Sequence, residues 1–127
     1  MLNKAIEIAV RAHTGQLDKA GEPYIRHPLR VMLDCKNETE MICAVLHDCV
    51  ENTSVTLDYL RSEGFSEEVV SVIDTLTRRE DETYKAYIGR VLENETACQI
   101  KLADLADNIK LSKIPKPADR DEKRIEK

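Results

Sequence analysis

The chain has 127 residues, of which 42% are hydrophobic and 4% aromatic, and its formal net charge is −5 at pH 7. This length fits one compact domain, the apolar fraction argues against a disordered chain, and the acidic balance disfavours binding along a DNA or RNA backbone. With only four Gly and four Pro, the sequence lacks the frequent turns of a β-sandwich or barrel. We therefore predict an all-α, compact bundle of six to eight short helices.

The first predicted helix has an apolar stripe at spacings of three and four residues. Its members are Leu2, Ala5, Ile6, Ala9, Ala12 and His13. We interpret His13 as a core residue, because the rest of its stripe is apolar. Gly15 is suited to cap the end of this helix, and a loop is predicted over residues 16–26. Pro28 is predicted to be the first residue of a second helix, which ends near Cys35.

A third helix is predicted from Glu40 to Val50. Thr56 has the character of an N-cap for a short helix that ends near Gly64. Ser66 is a second N-cap signal, since it is followed by two glutamates that favour the first turn of a helix.

The last two helices are predicted over residues 83–92 and 96–111, and Pro115 and Pro117 would end the second of them. No apolar run approaches the roughly 18 residues needed to span a bilayer, so we expect no membrane-spanning segment.

We divide the chain into a helical domain over residues 1–114 and a charged C-terminal tail or helix over residues 115–127. Charged residues interrupt the apolar positions of the N-terminus, which is therefore not read as a secretory signal. No CxxC pair is present, so we expect reduced thiols and a cytoplasmic protein. The four cysteines are Cys35, Cys43, Cys49 and Cys98. No feature of the sequence specifies an oligomeric state.

Histidine and carboxylate residues stand out on three of the predicted helices. His47 and Asp48 are adjacent, His27 lies at the start of the second helix, and Asp104 lies among apolar neighbours on the last. On a continuous helix, Glu51 would share a face with His47. Two imidazoles and two carboxylates suit Mn²⁺, Fe²⁺ or Zn²⁺ better than Ca²⁺, and such an ion can polarise a phosphoryl oxygen and activate water.

A structural interpretation of the same residues is also open. A histidine on an apolar face is often a satisfied core residue, and a buried aspartate such as Asp104 can be a cap or the partner of an ion pair.

Four stretches, taken together, resemble a known family. They are AHTGQ at residues 12–16, KAGEPYIRHP at 19–28, LHDCVENT at 46–53 and KLADLADN at 101–108. Their order and spacing over about residues 1–112 are similar to those of the HD-domain metal phosphohydrolases, specifically the alarmone hydrolase branch of the RelA/SpoT homologues. This resemblance implies an all-α HD fold and a reaction that releases pyrophosphate from the 3′ position of ppGpp or pppGpp.

The resemblance also assigns roles to individual positions. It implies four metal ligands, usually with Mn²⁺ bound and with Zn²⁺, Fe²⁺ or Mg²⁺ as alternatives: His27, His47, Asp48 and Asp104. Glu51 matches an acidic residue that orients or activates the attacking water. Asn108 matches a residue that contacts the nucleotide, and Lys19 matches one member of a basic pair beside this small-molecule substrate.

Two positions depart from the family pattern. Asn52 stands where the family usually has an aspartate, and an amide can hydrogen-bond water but cannot take its proton. Asp18 stands where the family usually has an arginine, and a carboxylate would repel phosphate unless Arg26 or Arg11 compensates. Three functions therefore remain open: hydrolysis of ppGpp-like nucleotides, hydrolysis of another nucleotide or phosphoester, and nucleotide binding without turnover.

Overall fold

The computed structural model describes residues 1–112, and eight helices occur within this range. They are α1 (Leu2–Ala12), α2 (Arg26–Leu33), α3 (Glu38–Leu46), α4 (Cys49–Asn52), α5 (Leu57–Ser62), α6 (Glu67–Leu76), α7 (Tyr84–Leu92) and α8 (Glu95–Ser112). The predicted all-α fold is confirmed, and the number of helices lies within the predicted six to eight. The predicted tail over residues 115–127, with its two helix-ending prolines, lies outside the described residues.

Side-chain hydroxyls cap the N-termini of α5, α6 and α7. Thr56 accepts a hydrogen bond from the backbone N–H of Tyr59, and Ser66 accepts one from that of Val69, so both predicted N-caps are confirmed. Thr83 caps α7 in the same way. Each hydroxyl satisfies one of the N–H groups that have no partner within the first turn of a helix.

Helix α3 lies at the centre of the bundle and contacts α1, α2, α6 and α8. Its last three residues, Ala44, Val45 and Leu46, are fully buried. Because α2, α3 and α8 contact one another, polar side chains from these three helices can meet in the interior.

The predicted third helix is not continuous, which is a correction to the prediction of one helix from Glu40 to Val50. α3 ends at Leu46, and a separate short helix, α4, begins at Cys49. The break has a local cause: both the backbone N–H of His47 and its ring Nδ1 donate to the carbonyl of Ala44. This i to i−3 bonding tightens the last turn, and Asp48 then leaves helical geometry at φ −116° and ψ 8°. His47 and Glu51 therefore do not share one helix face.

Helix α2 begins two residues earlier than predicted and ends at Leu33 rather than near Cys35. The N–H groups of Arg26 and His27 donate to the carbonyls of Pro23 and Tyr24, which forms a first turn before Pro28. Proline is tolerated there because the N–H groups of the first turn need no helical partner.

The loop between α1 and α2 is held by a carboxylate. Oδ1 of Asp18 accepts hydrogen bonds from the backbone N–H groups of Ala20 at 2.9 Å and Glu22 at 3.0 Å. Gly21 has a positive φ of 82°, which a glycine adopts without strain. Asp18, one of the two departures from the family pattern, thus has a structural role in this turn.

All four cysteines are free thiols in the structure. Within residues 1–112, no helix combines the length and the apolar character that crossing a bilayer requires.

Candidate metal centre

Three side chains from α2, the end of α3 and α8 converge in the interior. His27, His47 and Asp104 are each less than 7% exposed, and one potential ligand atom from each lies within 4.8 Å of the others. Nε2 of His27 is 2.8 Å from Oδ1 of Asp104, and Nε2 of His47 is 3.3 Å from the same oxygen. The two imidazoles and one carboxylate predicted from widely separated motifs are therefore brought together.

The far sides of both imidazoles are engaged by hydrogen-bond acceptors. Nδ1 of His27 lies 2.6 Å from Oδ2 of Asp107, and Nδ1 of His47 lies 2.6 Å from the carbonyl oxygen of Ala44. A carboxylate and a carbonyl can only accept, so each Nδ1 carries the hydrogen. Each Nε2 is thereby directed toward Asp104, with the orientation that a divalent metal requires of imidazole ligands.

Asp48 lies beside this group but outside the three-residue cluster. Its Oδ2 is 4.0 Å from Nε2 of His47 and accepts a hydrogen bond from the hydroxyl of Tyr24. Its Oδ1 is buried and has no hydrogen-bond partner among the described residues, although Nε2 of His13 is 3.3 Å away. A buried carboxylate needs a cation beside it, and the imidazole of His13 or a bound metal ion can supply that charge. Asp48 thus has an oxygen to offer as a fourth ligand, and the donor set fits a divalent ion.

The charges of the cluster are strongly coupled. Burial alone would lower the pKa of His47, but the carboxylates of Asp48 and Asp104 outweigh it and raise the pKa to about 9. Burial would raise the pKa of Asp104, but hydrogen bonds from His27 and His47 hold it well below its usual range. Both carboxylates are therefore ionised at neutral pH, since the pKa of Asp48 is also lowered by the neighbouring imidazoles. Ionised carboxylates are the form that binds metals.

His13 is buried, as predicted from its stripe, but it is not surrounded by apolar groups alone. Its Nδ1 is 2.8 Å from Oε1 of Gln16, and its ring packs against Tyr24 at a centroid distance of 5.0 Å. Burial would lower its pKa, but the carboxylate of Asp48 outweighs this and raises the pKa to about 10. His13 therefore supports a candidate metal ligand as well as the core.

The two predicted catalytic residues lie on α4, directly after the His47-Asp48 break. Glu51 is exposed, and its Oε1 accepts a 2.8 Å hydrogen bond from the backbone N–H of Arg78 in the loop after α6. Asn52 is also exposed and ends α4. Glu51 is thus held in place by a neighbouring loop rather than by the helix that carries His47.

The predicted substrate-binding residues are placed differently from one another. Nδ2 of Asn108 lies 3.4 Å from Oδ1 of Asp104, so this amide lies next to the cluster. Arg26 is exposed and pairs with Glu22 at 3.2 Å. Lys19 is exposed and makes no ion pair with a residue in the described range. The structure therefore brings Asn108 to the cluster but shows no such contact for Lys19 or Arg26.

Sequence reasoning missed three residues that contact the cluster or Asp48. Asp107 is 3% exposed and bonds to His27, Tyr24 bonds to Asp48, and Nζ of Lys101 lies 3.0 Å from Oδ2 of Asp104. One signal was available: residues three positions apart share a helix face. Lys101 and Asp107 both have this spacing from Asp104.

Comparison with known protein families decides the classification. A sequence profile of the HD domain family matches residues 5–102, which is more than half of the chain. The chain belongs to the HD domain family. This HD domain carries its His-Asp pair at the break between α3 and α4.

The HD domain is also similar to longer curated proteins. It is 35% identical over 129 residues to a guanosine-3′,5′-bis(diphosphate) 3′-pyrophosphohydrolase of Borreliella burgdorferi, covering 89% of this chain and 19% of that protein. It is 32% identical over 133 residues to a probable GTP pyrophosphokinase of Mycobacterium leprae, covering 92% of this chain and 16% of that protein. The chain thus spans less than a fifth of the length of these relatives.

A solved structure supports the same fold. The structure of a metazoan ortholog of SpoT, which hydrolyzes ppGpp, superposes with a TM-score of 0.75 at 23% identity. The match covers 86% of this chain and 68% of that one. At this level of identity the likeness establishes the shared all-α HD fold.

Proposed function

We propose that this HD domain is a metal-dependent phosphohydrolase that removes pyrophosphate from the 3′ position of ppGpp-like nucleotides. The observation that carries the proposal is the convergence of two imidazole Nε2 atoms and one carboxylate oxygen within 4.8 Å, from three separate helices. Relatives named as 3′-pyrophosphohydrolases of guanosine bis(diphosphate) support the nucleotide substrate.

In this proposal His27, His47, Asp48 and Asp104 hold the metal, most simply Mn²⁺, with Zn²⁺, Fe²⁺ and Mg²⁺ as alternatives. When bound, the ion would supply Lewis-acid chemistry that polarises a phosphoryl oxygen and offsets the negative charge developing on it. It also offsets the local carboxylates, so that a polyanionic nucleotide can approach a chain whose net charge is −5.

The protein's own groups then position the reactants. Water attacks the phosphorus attached to the 3′ oxygen, the bond between that phosphorus and the 3′ oxygen breaks, and the 3′ oxygen takes up a proton from solvent. The products are pyrophosphate and a nucleotide with a free 3′ hydroxyl. Glu51 takes the proton of the attacking water, because it is the ionisable member of the exposed pair on α4. Asn52 hydrogen-bonds the water without accepting its proton. Asn108 donates to the nucleotide from the edge of the cluster, and Lys19 and Arg26 supply cationic contacts to its phosphates.

A second candidate is an HD hydrolase that acts on another nucleotide or phosphoester. The specific observation that favours it is the position of Asp18, whose carboxylate is committed to two backbone N–H groups of its loop. This turn places the negative charge of Asp18 where an arginine would attract phosphate. The preferred substrate would therefore carry less negative charge on the part that lies beside Asp18. A third candidate is a module that binds a nucleotide without hydrolysing it. This would apply if the reaction requires a carboxylate at the position that Asn52 occupies.

We also propose that the protein acts in the cytoplasm. Four free thiols support this assignment, because reduced cysteines are typical of that compartment. We expect no long nucleic acid and no membrane among its partners.

The test is a screen for phosphate and pyrophosphate release over a panel of nucleotides, each with Mn²⁺, Mg²⁺ or Zn²⁺. Release of pyrophosphate from ppGpp, with GDP as the other product, would support the first candidate. Turnover of other nucleotides but not of ppGpp would support the second. Binding of ppGpp without turnover of any nucleotide would support the third and contradict an enzymatic role.

A further inference from the structure

Asp107 makes two kinds of contact from one buried position on α8. Its Oδ2 is 2.6 Å from Nδ1 of His27, and its Oδ1 accepts from Nε of Arg30 at 2.7 Å. A second arginine nitrogen donates to Oδ2 at 3.1 Å, so the guanidinium grips the carboxylate with two hydrogen bonds. The Asp107 side chain is 4% exposed, whereas that of Arg30 is 39% exposed. Asp107 therefore joins an interior imidazole to a cation at the surface.

The geometry at His27 gives the two ring nitrogens different roles. Nδ1 faces Asp107 at 2.6 Å, and Nε2 faces Asp104 at 2.8 Å, within the three-residue cluster. With its hydrogen directed to Asp107, Nδ1 cannot bind a metal, and the ring is fixed with Nε2 toward the other ligands. A carboxylate at this distance also makes Nε2 a stronger electron donor than a neutral acceptor would, which strengthens its bond to a cation.

We propose that Asp107 is a positioning residue for the metal centre, which sets the tautomer and orientation of His27 and strengthens its donation to the metal. This inference rests on the proposed metal site. Asp107 itself acts through His27 and not as a ligand, since its two oxygens are occupied by His27 and Arg30. Arg30 holds the carboxylate in place with two hydrogen bonds, from its Nε at 2.7 Å and from a terminal nitrogen at 3.1 Å.

A purely structural role for Asp107 makes a different prediction. In that case the Arg30–Asp107 ion pair would serve only to join α2 to α8, and loss of either partner would have the same effect. If Asp107 acts through His27, the two losses differ. Arg30→Gln leaves the hydrogen bond between Asp107 and His27 intact. Asp107→Asn removes the negatively charged carboxylate that lies beside His27.

The experiment measures the affinity for Mn²⁺ alone, without nucleotide, in four proteins: the wild type, Arg30→Gln, Asp107→Asn and Asp107→Leu. We expect Asp107→Asn to weaken Mn²⁺ binding by about 10- to 100-fold, the usual effect of losing such an outer partner. Asp107→Leu should weaken it further, because Leu offers no acceptor. Arg30→Gln should affect affinity less than either. Circular dichroism establishes that each variant is folded.

A spectroscopic measurement keeps the test independent of folding effects. In protein loaded with diamagnetic Zn²⁺, long-range ¹H–¹⁵N NMR should show His27 protonated at Nδ1 in the wild type and in Arg30→Gln. The hydrogen bond to the carboxylate should shift this Nδ1 proton downfield, and Asp107→Leu should lose that downfield shift.

The inference is overturned if folded Asp107→Asn binds Mn²⁺ as tightly as the wild type, or if Arg30→Gln and Asp107→Asn lose affinity equally. A wild type that binds neither Mn²⁺ nor Zn²⁺ would overturn the metal site itself, and with it this role of Asp107. The two failures are therefore distinguishable.

Discussion

Nε2 of His47 lies 3.3 Å from Oδ1 of Asp104, although one residue follows α3 and the other lies within α8. The same carboxylate oxygen is 2.8 Å from Nε2 of His27, so Asp104 is the common neighbour of both imidazoles. Its second oxygen is held by Lys101 at 3.0 Å. Asp104 thus presents Oδ1 to both imidazoles, while the ammonium group of Lys101 holds Oδ2. The candidate metal centre depends on these separate roles of the two oxygens.

Substitution of the shared aspartate or of one imidazole tests the ligand assignment. We expect His47→Ala and Asp104→Ala each to abolish stoichiometric Mn²⁺ binding, because each removes one of the few protein ligands of a divalent ion. Isothermal titration with Mn²⁺ measures this directly. Gln99→Ala is the matched control, since Gln99 is an exposed residue of the same helix. Unchanged metal content in both ligand variants would show that the site is wrongly assigned.

Glu51 is the residue to which we assign proton transfer. Glu51→Gln keeps the size of the side chain and can still accept from Arg78, but it cannot take a proton at neutral pH. We expect kcat to fall by about 10²- to 10⁴-fold, the usual contribution of a general base. Mn²⁺ affinity should be retained, because Glu51 lies outside the ligand cluster. Loss of metal binding together with activity would instead identify Glu51 as a ligand.

Asn52 tests whether the chain lacks a second acidic residue that the reaction needs. If Glu51 is the principal base, Asn52→Asp should change kcat by less than about tenfold, since a proton acceptor is already present. Steady-state pyrophosphate release measures the effect, with Asn52→Ala as the control for loss of the amide. A gain of about a hundredfold or more would contradict this assignment and show that Asn52 impairs the natural chain.

The loop that holds Glu51 is stabilised by an ion pair, which gives a pH dependence of stability. Hydrogen bonds from Arg90 lower the pKa of Glu82 from 4.5 to about 2. Because the pKa of Glu82 is lower in the folded than in the unfolded chain, its ion pair with Arg90 stabilises the fold fully above about pH 4.5. The stabilisation is lost as the pH falls toward 2. Thermal unfolding of the wild type and Glu82→Gln should therefore differ most at neutral pH and converge between pH 4.5 and 2. A difference that stayed constant over this range would exclude the ion pair as its cause.

Much of the fold follows from local sequence signals. The caps at Thr56 and Ser66 were predictable because a hydroxyl before an apolar run satisfies the first N–H groups of a helix. The break at His47 was not, because the apolar pattern of the third helix continues across it. The cause is a side-chain bond from Nδ1 of His47 to Ala44, and helical periodicity contains no information about which groups a ring nitrogen contacts.

The candidate site was predictable for a different reason. Asp104 was singled out because a carboxylate among apolar neighbours requires a partner, and His27 and His47 because of their positions beside Pro28 and Asp48 and the family resemblance of those stretches. Asp107 was overlooked, because its sequence neighbours do not show which groups of another helix lie against it. Its burial depends on contacts with α2, which is distant in sequence, so only the packed structure shows that His27 and Arg30 surround it.

Release of pyrophosphate from ppGpp tests the central claim most directly. The purified chain is incubated with ppGpp and Mn²⁺, alongside His47→Ala and a wild-type sample treated with a chelator, and the products are separated and identified. We predict stoichiometric GDP and pyrophosphate from the Mn²⁺-loaded wild type, and neither product from the two metal-deficient samples. Absence of both products from a wild type that binds Mn²⁺ would contradict the proposed reaction, and equal turnover by His47→Ala would contradict the proposed site.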